Sequence, residues 1–109
     1  MTARIITAGA LHQIDRIYDY LARHDAGAAQ RVVDRIYKII DLVTERPHIG
    51  RRMRERGVRM YVVKPYPYIV FYRYVERSDE VCIIRVRHAA MRRGGLQEEA
   101  PEFRAAANS

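Results

Sequence analysis

The chain has 109 residues, enough for one domain and too few for two. Its formal charge is +7 and Lys38 and Lys64 are its only lysines, so the positive charge is almost all arginine, which favours a polyanionic or acidic partner. Cys82 is the sole cysteine, which excludes an internal disulfide and suits a reducing cytoplasmic setting, and no stretch is long and apolar enough for a membrane span.

Arg4–Thr7 can form a short first strand, and the Thr7 hydroxyl can cap a helix that follows. Leu11, Ile14, Ile17, Tyr18 and Leu21 recur every three or four residues and so share one helical face. Asp25, Ala26 and Gly27 interrupt the pattern, with Asp25 placed to cap a second helix from about Ala28. Val32, Ile36, Ile40 and Val43 line its inner face, and Val33 and Ile39 widen it. Arg31, Asp34, Arg35, Lys38 and Asp41 should face water. Pro47 ends this helix by forcing the residue before it out of helical geometry. The short break makes the pair an antiparallel hairpin.

Residues 47–59, PHIGRRMRERGVR, read as the most basic loop of the chain. Three strands follow. One begins at Val58, where apolar and polar residues alternate; an aromatic one runs from Tyr68 to Val75; the last spans Val81 to His88. Cys82, inside the last strand, reads as a buried thiol. The fold class is therefore α+β: an N-terminal strand and an antiparallel helix hairpin on one face of a small antiparallel sheet, completed by a three-strand meander (β-α-α-β-β-β). The domain should span residues 1–93, with 94–109 as a flexible tail.

The histidines are scattered and there is neither a paired-cysteine motif nor a Gly-rich phosphate loop, so a metal site and nucleotide hydrolysis are not expected. What chemistry remains is metal-free RNA cleavage, which needs proton-transfer groups and cations around a crowded phosphate. Arg59, Arg73 and Arg85 lie one on each meander strand, and simple strand register would bring them to an open sheet face. His88, Tyr66 and Glu55 are the proton-transfer candidates nearby. Each has a plainer reading: His88 can end its strand with a backbone hydrogen bond, and Arg73 can pair with Glu76.

The helix hairpin, the P-x-x-G-R element at Pro47–Arg51, the string YPYIVFYRY at Tyr66–Tyr74 and IIRVRH at Ile83–His88 together resemble the RelE/ParE toxin superfamily of type II toxin–antitoxin systems, often labelled plasmid stabilisation proteins. The pattern is closer to the ParE-like branch. That resemblance implies a non-enzymatic toxin that poisons DNA gyrase, needs no cofactor, and is neutralised by an acidic, partly disordered cognate antitoxin with which it forms a hetero-oligomer. The alternatives it leaves are a RelE-like, ribosome-dependent mRNA endonuclease (an mRNA interferase) using Arg59, Arg73, Arg85 and His88, and a degenerate member without toxicity. Contacts to the target or to nucleic acid are expected from Arg51, Arg52, Arg54, Arg56 and Arg59, and from Arg85, Arg87, Arg92 and Arg93. Antitoxin contacts are expected at Leu11, Ile14, Tyr18, Val33, Ile36 and Tyr37. Two positions depart from the family pattern. Ala89 stands where some ribonuclease members carry tyrosine, and Met91 stands where an arginine commonly follows the histidine by three.

Overall fold

A computed structural model describes residues 1–90. The elements are β1 (Ala3–Ile6), α1 (Ala8–Ala22), α2 (Ala26–Glu45), β2 (Arg51–Arg52), β3 (Val58–Val62), β4 (Tyr68–Val75) and β5 (Glu80–His88). Arg92, Arg93 and the expected tail lie outside the described residues.

Both helix starts follow the capping chemistry read from the sequence. Thr7 Oγ1 accepts from the Ala10 N–H, and Asp25 Oδ1 accepts from the Ala28 N–H, each at 3.1 Å. α2 stops at Glu45, and Arg46, just before Pro47, has left the helical region.

The sheet order is β1-β5-β4-β3-β2. β2 to β5 form antiparallel pairs as expected from a meander, while β1 pairs with β5 in parallel, from Ala3↔Glu80 to Ile6↔Ile83. The sheet is therefore mixed at one edge. The basic segment is not all loop: Arg51 and Arg52 pair with Met60 and Arg59 as a short edge strand. A two-residue edge of arginine offers little template for another strand.

The helices cover one face of the sheet. Ile14, Val32, Ile36, Ile40 and Val43 meet Val70, Tyr72, Val81, Ile83 and Val86 in one buried cluster. Each such side chain contributes about 1.5–3 kcal/mol on full burial. The outer face, expected to be partly open, carries apolar packing of its own. Val58, Met60, Ile69 and Phe71 form a second buried cluster there, with Met53, Ile84 and Ala89 packed on it. Cys82, expected to be buried, is only half-buried, paired with Arg73 on the outer side.

A register shift between β4 and β5 governs which residues reach each face. Phe71 pairs with Arg85, but Tyr72 pairs with Ile83, so Ile84 is an extra residue in β5. Strict alternation from Val81 would turn Arg85 toward the helices and His88 outward. The bulge reverses both. Beyond the end of β1, the Val86 N–H is taken by Gln13 Oε1 of α1 at 2.7 Å.

Candidate polyanion-binding surface

The site begins where α2 gives way to the sheet. Tyr72, on the helix side of β4, is fully buried. Its hydroxyl donates to the Pro47 carbonyl at 2.9 Å and accepts from the Gly50 N–H at 2.8 Å. Burial raises the pKa of this hydroxyl, and the Gly50 bond and the nearby Arg59 work against that rise. Arg59 lies between Val58 and Met60, which face outward, so it too points to the helix side. Its guanidinium donates to the carbonyls of Gly50 at 2.8 Å and His48 at 3.1 Å. The P-x-x-G-R element is thus a loop clamped by one tyrosine and one arginine, and Arg51 and Arg52 continue from that clamp as the edge strand.

The outer face carries a different set. Arg73 and Arg85 both approach Glu55: Arg85 Nη2 lies 2.5 Å from one carboxylate oxygen and Arg73 Nη2 3.5 Å from the other. The Arg85 guanidinium stacks over Phe71, 4.7 Å from the ring centre. Arg87 pairs with Ile69 on the same face. Burial lowers the Arg87 pKa, the neighbouring Arg85 lowers it further, and Glu55 opposes both. Glu55 is therefore the counterion of a guanidinium cluster, and Arg73 pairs with it rather than with the expected Glu76.

The four residues expected to work together in RNA cleavage do not meet. Arg73 and Arg85 are on the outer face. Arg59 is on the helix side and committed to backbone carbonyls. His88 pairs with Tyr68, also on the helix side, with ring centres 5.3 Å apart. Its Nδ1 accepts from the Ala90 N–H at 3.0 Å, which is the strand-ending role. Tyr66 packs against the helix-side core. Burial also raises the Tyr68 hydroxyl pKa, with Tyr20 adding to the rise.

Arg51, Arg52, Arg54 and Arg56 are exposed, as a contact surface requires. The expected antitoxin stripe divides. Leu11 is 41% exposed, and Tyr18, Val33 and Tyr37 are half-buried. Ile14 and Ile36 are 2% and 0% exposed, inside the core, and cannot touch a partner. Their helical spacing was that of the packing face itself. The sequence reading also missed the meeting of His48 with Glu76. The His48 ring stands edge-on to Tyr74, with centres 5.4 Å apart, and its Nε2 lies 3.7 Å from Glu76. Nothing in the local spacing signals this meeting of a loop with the end of β4. Among the described residues, no group of three His, Cys, Asp or Glu is arranged to hold a metal ion.

A helix hairpin covers one face of a five-strand sheet, guanidinium groups cluster on the other face and along its edge, and the family and relatives this chain matches are toxins of the type II toxin–antitoxin class. Within that class the chain belongs to the ParE family: residues 4–93 match the ParE toxin of type II toxin-antitoxin system, parDE. It is 40% identical over 83 residues to the putative toxin Y4kP of Sinorhizobium fredii, an alignment covering 76% of this chain and 83% of that one. It is 36% identical over 90 residues to toxin RelE2 of Caulobacter vibrioides, covering 83% and 98%. The fold is also that of a protein in the chromosomal ParDE system from P. aeruginosa, with a TM-score of 0.71 at 22% identity over 81% of this chain and 96% of that one.

Proposed function

We propose that this toxin acts in the ParE-like manner, inhibiting growth by binding and poisoning DNA gyrase without a chemical step of its own. The observation that carries this reading is the division of Arg59 and His88 from Arg73 and Arg85 by the thickness of the sheet. A cleaving site needs its proton-transfer group and its cations around one phosphate. A binding surface needs only exposed charge, which the edge at Arg51, Arg52, Arg54 and Arg56 supplies.

The cognate antitoxin is an acidic, partly disordered chain that covers the helix hairpin through Leu11, Tyr18, Val33 and Tyr37, giving a cytoplasmic hetero-oligomer. Leu11 and Tyr18 stand seven residues apart, two turns along one side of α1. A disordered acidic segment can wrap such a basic domain while losing its own freedom on binding.

One observation favours a second reading. Glu55 between Arg73 and Arg85 places a carboxylate among cations on the outer face, the elements of a metal-independent endoribonuclease without His88. Purified toxin added to gyrase decides between them. Accumulation of cleaved DNA complexes and loss of supercoiling are expected, with translated messages left intact. Specific cuts in translated messages with gyrase unaffected would establish the second reading instead. Harmless overexpression would exclude both.

A further inference from the structure

β4 outruns its neighbour. β3 begins its pairing at Val58↔Arg73, so Tyr74 and Val75 continue with β5 alone beside them, and Glu76 opens the turn beyond. The Pro47–Gly50 segment, held by Tyr72, borders the resulting notch on the helix side. The loop of residues 53–57, held by Glu55, borders it on the other. Between them lies a cleft of about 630 Å³, whose polar lining includes His48, Arg52, Arg56, Arg59, Tyr74 and Glu76.

The charge in this cleft is unbalanced. Among the described residues, Arg52 and Arg56 have no carboxylate within 4.0 Å. Arg59 uses one nitrogen on two backbone carbonyls and directs the other toward His48 Nδ1 at 3.5 Å. The lone lining carboxylate, Glu76, faces His48 Nε2. Three guanidinium groups therefore share a cavity whose single acid is engaged with an imidazole.

We propose that this cleft binds a phosphate group of a nucleic-acid strand. Arg52 and Arg56 supply the contacts, and Arg59 is a positioning residue that fixes the His48 segment. The donors offered by several guanidinium forks exceed what the two oxygens of one carboxylate can take, and they suit phosphate oxygens in bidentate pairs. The exposed His48 ring and the half-buried Tyr74 ring at the wall lie where the sugar or base next to that phosphate would rest. The assignment is independent of the gyrase reading, because it is measured on the toxin alone and either can fail without the other.

The test is a titration of the full-length toxin with a short 5′-phosphorylated single strand, following the His48 and Tyr74 ring resonances. Saturable shifts at both rings are expected. The same strand without its terminal phosphate separates the two sources. Equal shifts assign an internal phosphodiester to the cleft, and weaker ones assign the terminal phosphate. Arg52→Ala with Arg56→Ala should weaken binding by about tenfold and reduce the salt dependence by about one phosphate contact. Arg31→Ala with Lys38→Ala removes the same charge from exposed positions on α2 and should change affinity less than about twofold. Equal losses in the two double variants would overturn the proposal, since general attraction would then suffice. So would equal ring shifts on adding an acidic peptide of matched charge.

Discussion

Gly50 and Tyr72 are fitted to one another. The Gly50 N–H donates to the Tyr72 hydroxyl at 2.8 Å, and a methyl group at Gly50 would lie 2.8 Å from Cε1 and 2.9 Å from Cζ of the same ring. The tyrosine is fully buried and cannot retreat. The glycine is required here for closeness of approach, not for an unusual backbone angle.

Gly50→Ala should therefore destabilise the fold by about 1–3 kcal/mol through overpacking. Tyr72→Phe should cost about 1–3 kcal/mol, because the Pro47 carbonyl and Gly50 N–H lose their buried partner. Denaturant unfolding of each single variant and of the double variant checks both values. The double variant should be less unstable than the sum, since both changes act on one contact.

His88→Ala should leave growth inhibition within about twofold of the parent under controlled expression, because the ring contacts Tyr68 and its own strand end. Loss of toxicity in a variant that keeps its fold and antitoxin binding would show that His88 acts on the target.

Leu11→Asp should leave stability within about 0.5 kcal/mol, as expected for an exposed position. It should weaken antitoxin binding about tenfold or more, read by calorimetry or a competition assay. Ile36→Ala, in contrast, should lower stability by about 2–5 kcal/mol through a core cavity.

The Tyr74 hydroxyl donates to Asp79 Oδ1 at 2.8 Å, and the Thr2 hydroxyl donates to the same oxygen at 2.9 Å. The bond from Tyr74, then that from Thr2, lowers the Asp79 pKa below 3.8, so its stabilising effect is present above 3.8 and fades as pH falls through the lowered value. The same Asp79 bond, followed by burial, raises the Tyr74 pKa above 10.0, so that contribution is present below 10.0 and fades as pH rises through the raised value. Tyr74→Phe should lower the melting temperature between those limits and change it progressively less in stronger acid or base. Melting curves across pH measure this directly.

Much of the scaffold was legible because its signals are local. Thr7 and Asp25 cap the helices they precede, Pro47 stops α2, and β4 occupies the aromatic run from Tyr68 to Val75. What was not legible depends on pairing across the sheet. Alternation alone sets side-chain direction within a strand, but one extra residue at Ile84 inverts it for Arg85, Val86, Arg87 and His88. The bulge sets Arg85 beside Arg73 on the outer face, whereas Arg85 and His88, three residues apart, fall on opposite faces with or without it. Arg59 was misplaced for a related reason: its face follows from which side Val58 and Met60 bury, and both sides of this sheet are apolar. Ile14 and Ile36 show the limit of helical spacing, which finds an apolar stripe but not whether the stripe meets the core or a partner.

The parallel pairing of β1 with β5 also sets an order of events during synthesis. Thr2 and Asp79, joined by a hydrogen bond, are 77 residues apart in the chain. The first strand therefore has no hydrogen-bonded neighbour until nearly the whole domain has left the ribosome. A nascent chain stopped before Glu80 would carry Ala3–Ile6 unpaired and lack the strand that bears Arg85 and Arg87. Contacts between distant segments close slowly, so the final fold of this toxin is reserved for chains in which β5 has already been made.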